Sequence, residues 1–362
     1  MLVHAGERLD LELRVLSRPG DTSLAGHGEL VTVGDPATSG VLERFADEID
    51  VLTFENEQVD LSTLQRIEDA GVVVRPGSHV LAMSNKATQR EALGALLFPV
   101  PPFMVTTRRD ELVDFAQHHG AVVVKAATGG YDGRGLWMAD GPDAISTLDL
   151  PFDGREYVIE PQLELQHELA VLVARRPGGD MATYPVVETV QRDGMCREAM
   201  FPSGLPDSVE VAARQVAEGI AAAIDAVGIL AVELFVVDGA VTVNELAPRV
   251  HNSGHLTIEA CETSQFEQHL RAVADLPLGS TRPLVAAATM ANVVGDEGGV
   301  DPRDRLADGM EAAGATIHLY GKAPRPERKI GHVTATGSDR ESTRKAATTV
   351  AAALTQPPEQ SR

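Results

Sequence analysis

Apolar and polar positions follow two different periods along this chain. In the first third, short apolar runs at 11–17, 29–33, 51–54 and 72–75 read as strands, and helical spacing fills 41–49 and 61–70 between them. Gly71 stops the second of those helices and releases the strand after it. This rhythm predicts an open parallel α/β sheet. Residues 85–97 form a strong helical pattern ended by the Pro-rich stretch at 99–102. The middle third changes character: 122–125, 136–139, 157–163, 169–175, 185–191 and 231–246 read as strands, with helices at 110–118 and 208–227. An α+β unit with antiparallel hairpins is expected there. Strands at 285–294, 316–320 and 332–336 and a helix at 341–354 make a smaller β-rich unit. The expected domains are 1–83, 84–275 and 276–355, with a frayed tail at 356–362. Residues 1–9 have helical spacing at Leu2, Ala5 and Leu9 but no N-cap and no preceding strand.

Composition narrows the class. The chain has 362 residues, 31 Lys and Arg against 53 Asp and Glu, and a formal net charge of −22. Apolar residues make up 43%, enough for large cores. No apolar run approaches the ~20 residues that span a bilayer, and the start lacks a signal-peptide layout. Two cysteines, Cys196 and Cys261, cannot build a disulfide framework at this size, so a cytoplasmic setting is expected. The charge argues against nucleic-acid and anionic-membrane partners. It also makes each local cluster of cations informative.

Five segments carry candidate chemistry. Thr128-Gly129-Gly130-Tyr131-Asp132-Gly133-Arg134-Gly135 follows a strand ending at Lys125. Four glycines in eight residues let backbone N–H groups approach an anion, and a strand–flap–strand could close over phosphates. An ordinary hairpin is the plain alternative. Glu233 and Glu245 flank Asp238-Gly239, a strong hairpin signal. A two-residue loop pairs positions summing to 477 and puts the acids on opposite faces; an odd-length loop puts them on one face. Two carboxylates on one face beside Asn244 would suit Mg²⁺ shared with phosphates; a solvated surface hairpin is the alternative. Arg249, His251, Asn252 and Ser253 then concentrate donors in an irregular stretch that fits a small anion better than zinc, despite the i, i+4 spacing of His251 and His255. Lys322, Arg325, Arg328 and Lys329 form a basic cluster in an acidic chain. Glu55 lies at the end of a parallel strand, where open α/β sheets bind ligands.

Together the segments TGGYDGRG, VIEPQ, HELAVLVARR, VNELAPRVHNSGH, SQFEQHLRAVADLPL and RPERKIGH resemble the ATP-grasp enzymes, and among them the N5-carboxyaminoimidazole ribonucleotide synthetases. The resemblance implies an ATP-grasp fold with a pre-ATP-grasp domain and a C-terminal β-rich domain. It implies carboxylation of aminoimidazole ribonucleotide with bicarbonate and ATP, through carboxyphosphate, in purine biosynthesis. By position in the motifs, Lys86, Lys125 and the flap Gly130, Tyr131, Asp132, Gly133, Arg134 and Gly135 would meet ATP. Glu160, Pro161, Gln162 and Leu163 would form the hinge that reads adenine, Glu168 would hold the ribose, and Gln191 and Asn244 would complete the nucleotide site. Glu233 and Glu245 would hold Mg²⁺. Arg249, His251 and Asn252 would hold bicarbonate and its phosphorylated form, and with Lys125 they would be the catalytic residues. Glu55, Tyr131, Asp132, Arg134, Ser253, Arg328 and Lys329 would surround the ribonucleotide. A homodimer is implied as well. Other readings are a formate-dependent glycinamide ribonucleotide transformylase and a non-catalytic nucleotide-binding homologue. The family opens with a strand and a turn of the type GGGQLGRM, whereas this sequence starts at what looks like the methionine after that turn; the expectation is a first sheet lacking its opening strand.

Overall fold

The computed structural model describes every residue except 25, 131–133, 297, 313 and 356–362. The flap tip Tyr131, Asp132 and Gly133 and the expected tail therefore lie outside the described residues. Among the described residues no helix is long and apolar enough to cross a membrane.

The first segment is parallel α/β, as its alternation predicts. Val15–Ser17 pairs with Val31–Val33, and Val51–Leu52 with Val73–Val74, both in parallel. The two pairs are separate two-stranded sheets. Each strand is shorter than its apolar run because only part of the run finds a ladder partner. After Leu52 the chain turns away: the Thr53 hydroxyl lies 2.8 Å from His269 Nε2, and Phe54 enters the core. Leu2–Arg8 is helical without a side-chain cap. Its apolar face, with Leu2 and Ala5, packs on Phe266 and Leu270 of the helix Gln265–Val273.

Two antiparallel sheets follow. A four-stranded sheet runs in the order Met104–Thr106, Tyr157–Pro161, Val122–Ala126, Leu136–Ala139. A nine-stranded sheet centres on His167–Arg175 and Gly228–Val237, whose apolar runs are continuous because both faces are covered. The helix Asp207–Ala223 lays Ala213, Ala217, Ile220 and Ala221 on one of those faces. Small residues at that seam set a close approach, so enlarging Ala217 to Leu would cost about 1–3 kcal/mol by over-packing. Strand Met195–Phe201, absent from the sequence reading, joins Val187–Arg192 to Ala287–Val294. Its charged residues hide it: Glu198 is buried, satisfied by Arg344 and Arg192. Through this strand Ala287–Val294, Lys329–Gly337 and Thr316–Leu319 extend the same sheet, and Arg340–Thr355 packs across them.

The hairpin carrying the acids departs from the expected route. Its turn has two residues, Asp238 and Gly239, with φ of +50° and +75°, the left-handed pair that a type I′ turn needs. Val237 therefore faces Ala240. A β-bulge then inserts Asn244, and Glu233 comes directly opposite Glu245. The same-face outcome is produced by the bulge, not by an odd-length loop.

Candidate active site

The site lies where the two antiparallel sheets face one another. Asn85 caps the helix Lys86–Ala95, accepting from Ala87 N–H at 2.8 Å and Thr88 N–H at 3.2 Å. The Lys86 N–H donates to Ala127 O at 2.8 Å, which ties this helix start to the base of the glycine loop. From there the Lys86 Nζ reaches Glu245 at 2.6 Å. Lys125, at the end of its strand, donates to Glu160 at 2.7 Å and to the Asn244 amide oxygen at 3.4 Å. The other Glu160 oxygen takes Arg90 Nε, and Arg90 Nη2 donates to Asn244 O at 2.7 Å.

Glu160 is therefore not a side chain free to read adenine. It is a buried counter-ion, 3% exposed, with Arg90 as a partner that the sequence reading missed. Burial works to raise its pKa, but Lys125 and Arg90 overcome this and hold it below the ordinary value. Arg90 was missed because it sits inside a helix of ordinary composition; its only signal is a charge on the face that carries buried Ala87 and Leu93.

Glu233 is in the opposite situation. Burial first, then Glu245 and Glu168, push its carboxyl up to about 7. Its partners are the Asn244 amide at 3.3 Å and His251 Nε2 at 3.4 Å. Glu168 is pushed to about 6 by burial. His251 is held well below its ordinary value by burial, with Arg249 and Lys329 repelling its proton. A neutral ring with Nδ1 2.8 Å from Ser253 Oγ results. Gln265 fixes that residue's backbone at both ends, accepting from His251 N–H at 2.8 Å and donating to His251 O at 2.7 Å.

Several expected residues have protein partners in the structure. Ser253 is 1% exposed, and its hydroxyl lies 2.8 Å from His251 Nδ1. Asn252 spends its amide on Asn292, each side chain donating to the other at 2.7–2.8 Å. Asn292 was not foreseen, because a polar residue in an apolar strand gives no motif. Arg249 forms a two-point ion pair with Glu57, also unforeseen. Lys329 acts electrostatically on Glu233 and His251, and half-buried Arg328 donates to Ala323 O at 3.0 Å. Arg134 lies 3.9 Å from Glu327, which joins the flap to the basic tail. Glu55 is exposed; burial pushes the Tyr320 phenol up, with Glu55 adding to it, and pushes the Met1 amine down, with Glu55 partly opposing. Pro161 ends its strand, the Gln162 N–H donates to Ala121 O at 2.9 Å, Leu163 is half-buried, and Gln191 sits at a bulge. At the loop base, a Cβ on Gly130 would stand 2.8 Å from Arg134 O, and Gly135 has φ of +70°. Side chains larger than hydrogen would open this pinch.

Two antiparallel sheets, a lysine from one and another from the adjoining helix start, an acid pair from the other sheet and a glycine-rich segment after Lys125 define an ATP-grasp enzyme. Family models agree along the chain: a ribonucleotide synthetase preATP-grasp domain at 1–85, an ATP-grasp domain at 91–266 and a phosphoribosylaminoimidazole carboxylase C-terminal domain at 288–346. The N5-carboxyaminoimidazole ribonucleotide synthase of Mycobacterium tuberculosis is 43% identical over 354 residues, covering 94% of this chain and 81% of that one. The Thermus thermophilus synthetase structure superposes with a TM-score of 0.87 at 32% identity, over 99% and 96% of the two chains. The Aspergillus clavatus synthase, solved with ADP and 5-aminoimidazole ribonucleotide, gives 0.90 at 28% identity over 98% and 95%. The chain belongs to the N5-carboxyaminoimidazole ribonucleotide synthase family.

Proposed function

We infer that this protein is an ATP-dependent carbon–nitrogen ligase of purine biosynthesis, converting 5-aminoimidazole ribonucleotide to its N5-carboxy form with release of ADP and phosphate. The observation that carries the site assignment is the pairing of Glu233 with Glu245 across from Lys86, Lys125 and the glycine loop.

In the first step we assign, a bicarbonate oxygen attacks the γ-phosphorus of ATP, the bond to the β-phosphate oxygen breaks, and ADP leaves. Carboxyphosphate is formed. In the second step the exocyclic amine of the ribonucleotide attacks the carboxyl carbon, the carbon–oxygen bond to phosphate breaks, and the amine loses a proton. Both steps depend on positioning and charge neutralisation more than on covalent catalysis. Lys86 and Lys125 meet the ATP phosphates, with the loop at 130–135 excluding water from the labile intermediate. Residues 160–163 contribute backbone to the adenine pocket, Glu168 contacts ribose, and Gln191 and Asn244 line the nucleotide site. Arg249 and neutral His251 bind bicarbonate and carboxyphosphate; Asn252, locked by Asn292, holds their loop in place. Glu55, Tyr131, Asp132, Arg134 and Lys329 are the ribonucleotide side. The donor chemistry fits Mg²⁺: an opposed carboxylate pair, with Glu233 raised first by burial and then by Glu245, wants a cation between its members. Mg²⁺ held by Glu233 and Glu245 would neutralise phosphate charge.

A homodimer in the cytoplasm completes the proposal; two buried cysteines without a disulfide support the reduced compartment. The test is ADP release by the purified chain with and without bicarbonate and 5-aminoimidazole ribonucleotide. Release should require both for coupled turnover, and formate with glycinamide ribonucleotide should not substitute. ADP release indifferent to both substrates would refute the assignment.

A further inference from the structure

Arg249 is anchored from a part of the chain 192 positions away. Its Nε and Nη2 both donate to the Glu57 carboxylate, the second at 3.2 Å, and Nη1 donates to Val250 O at 3.1 Å. A guanidinium has five N–H groups in a fixed plane. Glu57 takes the side-on pair and Val250 one more, so two N–H groups remain on Nη1 and Nη2 for a second oxyanion. The Arg249 and Glu57 side chains are 24% and 30% exposed, so the pair is sheltered yet reachable. Glu57 belongs to residues 53–60, the connection that leaves the second parallel pair after Val51–Leu52 and also bears Glu55. The fork is therefore aimed by the first domain, although Arg249 itself stands just past the acid hairpin.

We propose that Glu57 is a positioning residue: its carboxylate clamps the side-on edge of Arg249 so that the adjoining end-on edge, Nη1 and Nη2, presents a bidentate fork to bicarbonate. This rests on the reading of Arg249 as the bicarbonate arginine. A clamp of this kind contributes through orientation, because a rotating guanidinium must be ordered each time the anion binds. Glu57 takes its side-chain hydrogen bonds from Arg249; Glu245 and Glu233 act on Arg249, and Lys86 on Glu57, through charge alone.

The experiment is steady-state kinetics on Glu57→Gln, Arg249→Lys and the double variant, with bicarbonate and ATP varied separately. Glu57→Gln should raise the bicarbonate KM about tenfold, with the ATP KM unchanged and kcat at saturating bicarbonate within about threefold. In the Arg249→Lys background, where no fork remains to be aimed, Glu57→Gln should add less than about twofold. A general loss of structure would raise both KM values and lower kcat, which overturns the proposal. An unchanged bicarbonate KM in Glu57→Gln, with a raised one in Arg249→Lys, overturns it while leaving the role of Arg249 intact. A lowered bicarbonate KM also overturns it, because Glu57 would then be competing with the anion. No change in Arg249→Lys removes both ideas. If Glu57→Gln does not fold, Glu57→Asp carries the same test, since it keeps the charge but is one methylene too short for the two-point contact.

Discussion

Around Glu160 one carboxylate meets two cations, whereas around Glu233 two further carboxylates, Glu245 and Glu168, share the neighbourhood with Lys86 and Lys329. The first group is closed: both Glu160 oxygens are taken, and the acid is held ionised. The second is open: Glu233 is pushed up to about 7, and its contacts at 3.3 and 3.4 Å are loose. The two lie on facing sheets and share Asn244, whose backbone oxygen serves Arg90 and whose amide serves Lys125 and Glu233. Charge that is balanced within the protein builds the scaffold. Charge left unbalanced beside it is where a ligand supplies the missing partner.

The strongest way to break this comparison is Glu160→Gln. Removing one partner of a buried ion pair leaves the others uncompensated and costs about 3–5 kcal/mol. Urea unfolding should show that loss, with activity falling in parallel. A variant as stable as the parent would mean that the closed group is not structural. At the open group, Glu233→Gln should do the reverse. Turnover should drop about 10²–10³-fold, the scale of a lost electrostatic stabiliser, while the chain stays folded, as circular dichroism and unfolding would report.

The two groups also predict opposite pH dependence. Glu160 has a lowered pKa in the folded state, so its stabilisation is present above the ordinary carboxylate range and is lost as pH falls through the folded value. Glu233 has a raised one, so the folded state holds its proton more tightly; that favourable contribution is present below the unfolded value and is lost as pH rises through about 7. The ligand-free Glu233→Gln variant should therefore match the parent near pH 4.5 and become more stable above pH 7, by about 1–2 kcal/mol. Unfolding curves at several pH values measure the difference. An equal gap at every pH would mean that Glu233 does not carry the shifted proton.

How much of this was legible in the sequence follows from the range of each signal. Gly-rich loop, acid hairpin and donor-rich stretch are local, and motif order placed Lys86, Lys125, Asn244, Glu245, Glu233 and His251 together. Asp238-Gly239 announced the turn, but the bulge at Asn244 that sets the register has no local signature. Arg90, Glu57, Asn292 and Gln265 could not be read, because each acquires its role from a partner 14 to 192 positions away. The contact between Ser253 and His251 was hidden for a related reason: the sequence shows a hydroxyl next to a histidine loop, not which way it is buried.

The smallest effect tests that last point. Ser253 Oγ sits 2.8 Å from His251 Nδ1 and leaves Nε2 facing Glu233. If the hydroxyl only orients the ring, Ser253→Ala removes one neutral hydrogen bond of about 1 kcal/mol, and kcat/KM for bicarbonate should fall about fivefold. The KM for 5-aminoimidazole ribonucleotide should stay unchanged. A ribonucleotide KM that rises instead, with bicarbonate kinetics intact, would return Ser253 to the substrate side. The open group would then have one orienting partner fewer, and the aim of His251 would rest on the Gln265 contacts to its backbone.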